Sequence, residues 1–231
     1  MLKKLFDSVD MTVKADWRSR PERSRVVAKL AEQRGAKSIL NVGSGGGREL
    51  AAQIVSGTVT VFDIDISGEC DLRLNLDSVD ALPFSDGEFE MVCSMDVLEH
   101  LENFHRINDE LFRVSSKCVL ISLPNSATEF LQVVLGRTDP GPKKERGFFS
   151  KYYGLPLSPP VDRHRWWLYP QDIVRFYENF ASVRGCKVTY FIPSSNFSRS
   201  IARLVLGKHI YYTFLMPHIA ILLEKKSFEE L

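Results

Sequence analysis

The stretch Ser38-Ile-Leu-Asn-Val-Gly-Ser-Gly-Gly-Gly47 decides how the rest of the chain is read. Ile39 to Val42 is a short apolar run that, with Ser38, predicts a buried strand over 38–42, and it breaks at once into four glycines, at Gly43, Gly45, Gly46 and Gly47. Arg48-Glu-Leu-Ala-Ala-Gln-Ile-Val55 then resumes with helical spacing, which predicts a crossover helix over 47–56. Strand, glycine turn and helix, in that order, is how open α/β folds bring the amides of a helix N-terminus against a bound nucleotide. A G-x-G-x-x-G dinucleotide fingerprint would be met at Gly43 and Gly45 but needs a small residue where Arg48 stands. The pattern here is G-x-G-x-G, with Ser44 inside it and Asn41 two residues upstream.

Working outward, Thr58-Val-Thr-Val-Phe-Asp-Ile-Asp65 is rich in β-branched residues and reads as the second strand. An acid at the end of that strand can accept hydrogen bonds from both ribose hydroxyls, and Asp63 and Asp65 both stand at a suitable distance from Gly43. Asp71 to Asn75 reads as a third strand. Parallel strands need a crossover of about a dozen residues, so the short Ile66–Cys70 link predicts a loop in place of a second helix and an opened cleft on that side. Upstream, Pro21 opens a helix with Val26, Val27, Leu30 and Ala31 on one face, and Gly35 stands where a left-handed C-terminal cap belongs. Residues 1–20 carry no period and read as an N-terminal arm.

Downstream, Met91 to Met95 is a fourth strand. A helix is expected to start at Asp96, with Leu98, Leu101, Phe104, Ile107 and Leu111 inward. Lys117 to Leu123 is a fifth strand, closed by Pro124-Asn125. Between 126 and 168 the composition shifts to Gly, Pro, Lys and aromatics, a connection long enough to be an insertion or lid. Pro170, Ile173, Phe176, Tyr177 and Phe180 then mark an amphipathic helix. Cys186 to Ile192 and His218 to Leu223 read as the last strands, with a helix around 201–206 between them. The expectation is one α/β domain over 1–231, doubly wound and Rossmann-like.

Several segments together resemble the class I S-adenosylmethionine (SAM) methyltransferases, in the broad group of the ubiquinone-pathway O-methyltransferases. They are the G-x-G-x-G turn, Asp65-Ile-Ser67, Ala81-Leu-Pro-Phe-Ser-Asp-Gly-Glu-Phe89, Asp96-Val-Leu-Glu-His-Leu101 and Ile121-Ser-Leu-Pro-Asn125. The resemblance implies a mainly parallel seven-stranded sheet with a reversed last strand, and SAM as cofactor. It assigns Asn41, Gly43, Ser44, Gly45 and Gly47 to the cofactor's methionine end and Asp63 or Asp65 to the ribose. Asn75 or Asp77 falls to the adenine side, and Met95 and Asp96 to the place where methyl group and acceptor meet.

In some relatives an acid-x-x-Glu-His run, here Asp96, Glu99 and His100, binds a divalent cation such as Mg²⁺, with a distant His completing the site; His164 stands in that place. Spacings of three and four on a helix would bring all three side chains to one face. In other relatives no metal is bound, and the Glu-His pair shapes the pocket or supplies a base. Asp162, His164, Trp166 and Trp167 read either as an aromatic wall for a sugar-like acceptor or as anchors for the insertion.

Length and charge narrow the choice. A chain of 231 residues with 44% hydrophobic content makes one large core, and a net charge of +1 argues against a nucleic-acid partner. Four scattered cysteines without a C-x-x-C pair indicate neither a zinc ribbon nor a disulfide framework, hence a reducing, cytoplasmic setting. The apolar stretch 210–223 is too short to span a bilayer, leaving peripheral membrane contact open. The expected acceptor is a small molecule, a glycan or a lipid-linked compound, methylated at oxygen. The rival readings are an RNA 2′-O-methyltransferase, a non-catalytic SAM-binding module and, against Arg48, an NAD-dependent dehydrogenase.

Overall fold

A computed structural model describes residues 13–15, 19–54, 57, 59–135, 163–193 and 197–226. The strands among them are β1 (Val13–Ala15), β2 (Ser38–Val42), β3 (Thr60–Asp65), β4 (Leu72–Arg73), β5 (Phe89–Met95), β6 (Ser115–Pro124), β7 (Lys187–Pro193) and β8 (His218–Glu224). The helices are α1 (Arg20–Gln33), α2 (Glu49–Gln53), α3 (Phe104–Val114), α4 (Ser126–Val134), α5 (Pro170–Arg184) and α6 (Phe197–Phe214). One sheet takes the strands in the order β4-β3-β2-β5-β6-β8-β7-β1. Every neighbouring pair is parallel except the two that β8 makes with β6 and β7. Seven strands, β2 to β8, thus form the expected mainly parallel sheet with its last strand reversed. β1 adds an eighth at the edge, from within the segment read as an arm.

The central strands are buried on both faces, so they read as continuous apolar runs. Ile39, Leu40 and Val42 of β2, and Val119, Leu120 and Ile121 of β6, are fully enclosed. Burying each such side chain contributes about 1.5–3 kcal/mol. Alternate residues face two helical layers. Ile39, Met91, Cys93 and Leu120 pack with Val27, Leu30 and Ala31 of α1 and Leu50 of α2. Leu40, Val42, Val92 and Ile121 pack with Ile107 and Leu111 of α3, Ile173 and Tyr177 of α5, and Tyr211 and Tyr212 of α6. The arrangement is doubly wound, and the cleft opens at the carboxyl ends of β2, β3 and β5.

Several elements differ from expectation in ways that shape the site. The first crossover helix shrinks to Glu49–Gln53. β4 keeps two residues, paired with Ile64 and Asp65 of β3, so no helix is needed to cross between them. No helix begins at Asp96. This residue is the one non-glycine with positive φ (57°) among the described residues, and the chain reverses there before a 3₁₀ turn at Leu98–His100. The inward residues are nonetheless those predicted: Leu98, Leu101, Phe104, Ile107 and Leu111 are all buried. The insertion opens with α4; residues 136–162, including Asp162, lie outside the described residues. The helix expected around 201–206 extends over Phe197–Phe214, broken at Gly207 (φ 77°, ψ 157°).

Candidate active site

The glycine turn is held from behind by its neighbouring strand: the Gly43 and Ser44 amides both donate to the Ile64 carbonyl, at 2.9 and 3.1 Å. Gly43 has φ 75°, and a Cβ there would lie 2.3 Å from a Val97 methyl carbon. Only glycine lets the chain after β5 pack so closely on the turn. The same device recurs at Gly68, φ 80°, whose added Cβ would fall 2.4 Å from the Gly46 Cα. It allows the Ile66–Cys70 loop to lie directly on the turn, fixed by the Glu69 amide donating to the Gly46 carbonyl at 3.2 Å.

The two candidate ribose acids have different surroundings. Asp65 faces the cleft, its carboxylate oriented by the Gly45 amide at 2.6 Å and the Ser67 amide at 3.1 Å. Asp63 is fully buried behind the turn, accepting from Asn41 Nδ2 at 2.7 Å and from Arg48 at 3.2 Å. Arg48 also forks onto Asp71 at 2.6 and 2.9 Å, and Asp71 accepts the Asp63 amide at 2.7 Å. Burial raises the Asp63 carboxyl above its usual range although Asn41 and Arg48 oppose it. The Arg48 hydrogen bond, aided by the Asp63 amide, lowers Asp71. Arg48, which counted only against a dinucleotide fingerprint in the sequence, therefore ties the turn to β3 and the start of β4.

A cleft of about 610 Å³ is lined by Gly43, Gly45, Asp65, Ile66, Asn75, Asp77, Asp96, Val97, His100 and Arg165. Asn75 caps the 3₁₀ turn Leu76–Ser78 by accepting the Asp77 amide at 3.1 Å, and Asp77 accepts the Asn103 amide at 3.2 Å. An adjoining cavity of about 100 Å³ takes in Asn41, Ser44, Met95, Asp96, Arg20 and Arg23. Arg20 lies between the two cavities, donating to the Gly45 carbonyl at 3.0 Å. Gly47 lines neither; it lies against the Glu49 carboxylate. Arg20 and Arg23 were missed as site residues because a basic run opening a helix reads as a solvated face.

Asp96 borders both cavities. Its carboxylate accepts from the Ser122 hydroxyl at 2.5 Å, pairs with Arg23 at 3.1 Å and faces His218 at 3.7 Å. Burial pushes this carboxyl up, but the bond and charge of His218, the Arg23 guanidinium and the Ser122 hydroxyl together outweigh burial. They hold it well below the usual carboxylate range. Asp96 is thus turned toward β6, β8 and α1, which corrects the expectation that it shares a helical face with Glu99 and His100. The reversal at its left-handed φ is the reason.

Glu99 and His100 are joined by His164 instead. The three offer ligand atoms that all lie within 4.8 Å of one another, with Glu99 and His164 buried. The two imidazoles meet edge to face, centroids 4.6 Å apart. Distance in sequence is overcome by four bonds: the Arg165 amide to the Glu99 carbonyl at 2.7 Å, Arg165 Nε to the His100 carbonyl at 3.0 Å, Arg165 to Glu102 at 2.7 Å, and Trp166 Nε1 to the Leu101 carbonyl at 2.6 Å. Trp166 is an anchor in this staple, packed on Phe104 and His105. Trp167 points outward, half-exposed, with its ring 5.8 Å from that of Phe130.

Residues 40–117 match the family model for a methyltransferase domain. Among curated proteins no sequence match is found. The methyltransferase domain of bacterial CtHen1 shares the fold, with a TM-score of 0.56 at 14% identity over 88% of this chain and 97% of that one. The plantazolicin methyltransferase BpumL, solved with a triazolic desmethylPZN analogue and SAH, shares it too, with a TM-score of 0.58 at 14% identity over 90% of this chain and 85% of that one. At these identities the likeness is one of fold. The glycine turn, the strand-end acid and the order of the sheet agree with the likeness of residues 40–117 to a methyltransferase domain.

Proposed function

We propose that the chain transfers the SAM methyl group to an oxygen of a small-molecule, glycan or lipid-linked acceptor, and that Glu99, His100 and His164 hold a divalent cation beside it. The observation that supports this is the three-residue cluster at the rim of the cleft, one carboxylate and two imidazoles converging where His100 borders the cofactor's space. Such a donor set fits a divalent metal. Imidazole nitrogens favour Mn²⁺ or Co²⁺ over Mg²⁺, which prefers oxygen ligands. The cation would supply positive charge that lowers the pKa of an acceptor hydroxyl, and SAM would supply a methyl carbon on a cationic sulfur.

The chain's own groups bind and orient. Asp65, already aimed by two backbone amides, retains lone pairs for the ribose hydroxyls. Asn75 and Asp77 border the adenine side. Arg20 and Arg23 present positive charge to the methionine carboxylate from the smaller cavity. Asp96, ionised and fixed by three partners, offers negative charge to the cationic end of the cofactor. Holding the reactants in line is the main catalytic contribution available to such a site.

The test is calorimetric titration with SAM and SAH, with NAD as control, followed by Mn²⁺ titration of wild type and His164→Ala. Micromolar binding of both sulfur ligands, none of NAD, and Mn²⁺ binding lost in the variant are expected. Full transfer activity after exhaustive chelation would remove the metal and leave Glu99 and His100 as pocket-shaping groups. An RNA 2′-hydroxyl would suit the same cluster, and salt-dependent RNA binding would move the acceptor to that class.

A further inference from the structure

The second half of the chain presents an apolar surface that methyl transfer leaves unexplained. Leu204 and Val205 on α6 are 84% and 74% exposed, and Leu206 is also exposed. Successive helical residues point about 100° apart, so these three spread over roughly 200° of the helix circumference. They immediately precede the break at Gly207 and exposed Lys208. The end of α6 is bonded to the start of α4: Asn125 Nδ2, just before α4, donates to the Thr213 carbonyl at 2.8 Å, and Thr128 Oγ1 to the Met216 carbonyl, just past α6, at 3.0 Å. On α4, Phe130 is exposed beside Trp167, which belongs to the segment that delivers His164. Exposed apolar side chains thus stand on both α4 and α6, two helices in contact.

We propose that this face docks on the surface of an anionic lipid bilayer. Two observations select a bilayer over a protein partner. A rigid partner covers one side of a helix, whereas side chains projecting over more than half of its circumference are buried by a fluid phase. Charge is also one-sided: between residues 194 and 217, which include α6, the chain contains no Asp or Glu but holds Arg199, Arg203 and Lys208. Apolar side chains on a cationic helix, with Trp167 beside them, suit the headgroup boundary of an anionic membrane. The helix lies on the surface, since no helix among the described residues is long and apolar enough to cross a membrane. The membrane contact stands apart from the methyl-transfer reading. That the acceptor is lipid-linked follows from the two together, and so rests on that reading.

The experiment is co-sedimentation of the full chain with vesicles of phosphatidylcholine alone and of phosphatidylcholine mixed with phosphatidylglycerol, alongside SAH titration of the same preparations. Preferential pelleting with the anionic vesicles is expected. L204E/V205E should reduce it by about tenfold or more, and K208E by about fivefold. Val183→Glu, at an exposed position on α5, should leave it unchanged. SAH affinity should stay the same in all three variants, which separates failure of the membrane contact from failure of the cofactor site. No pelleting with either vesicle, or pelleting that L204E/V205E leaves intact, would overturn the proposal. So would a concentration-dependent dimer abolished by L204E/V205E in the absence of vesicle binding, which would assign the face to a second copy.

Discussion

The two ends of the cleft are built in different ways. On the side we assign to the cofactor, between β2, β3 and β4, the parts come from neighbouring stretches of chain and are mostly backbone: amides of Gly43, Ser44 and Gly45, and one acid, Asp65, aimed by two backbone amides. On the side we assign to the acceptor, beyond β5, the parts are side chains drawn from distant stretches. Asp96 is set by α1, β6 and β8, and the Glu99–His100 pair is completed by His164 from beyond the insertion. A cofactor common to a whole family can be held by local backbone geometry. An acceptor particular to one chain is met by side chains that long-range packing brings together.

If the two sides are independent, substitutions should separate them. The largest effect is expected at Gly43→Ala, where left-handed strain and the Val97 contact together cost about 3 kcal/mol, a loss of roughly 100-fold in SAH affinity by calorimetry. Adding Val97→Ala should restore only part of that loss, because the backbone strain remains. Next, Glu99→Gln should weaken Mn²⁺ binding by about 10–100-fold with SAH affinity unchanged. A parallel fall in SAH affinity would show that the two sides form one unit.

Asp96→Asn comes third. Asn tolerates the left-handed backbone, so the variant removes charge without adding strain, and the loss of a largely enclosed ion pair should cost about 2 kcal/mol in urea unfolding. The folded carboxyl lies below its ordinary range. Its contribution is therefore present above the unfolded value, about pH 4, and is lost as pH falls below it toward the folded value. Wild type should show that fall in stability on acidification, and the variant should lack this share of it. The smallest effect is expected at Arg165→Ala, which leaves the backbone bond to Glu99 but removes the side-chain bonds to His100 and Glu102. About 1 kcal/mol or less of stability and a few-fold loss in Mn²⁺ affinity should follow.

The same contrast decides what could be read from the sequence. β2 was legible to the residue, because an apolar run ending in glycines leaves few alternatives, and the core positions of α1, α3 and α5 followed from their spacing. The motif Asp65-Ile-Ser67 favoured Asp65 as the cleft-facing acid, but why Asp63 turns away was not legible. That depends on Arg48 and Asn41 claiming Asp63, and their pairing crosses between strands. The facing of Asp96 was misread because helical spacing was applied across a reversal, and nothing in Asp-Val-Leu-Glu-His announces a left-handed aspartate. Arg23, Ser122 and His218 were missed for the same reason: each is ordinary in its own segment and significant only where three elements meet.

The pairing of β1 with β7 has a consequence for the order of assembly. Among the described residues Val13–Ala15 has β7 as its only neighbour in the sheet, with Val13 opposite Phe191. As the chain leaves the ribosome, this strand has no partner until residues 187–193 have emerged, long after β2, β3, β5 and β6 can pair. Contacts so distant in sequence form late and slow folding. The far edge of the sheet thus closes only after residues 187–193 have been made. A ribosome-held chain stopped before Lys187 should lack amide protection at Val13–Ala15, while β2 and β5 are already protected.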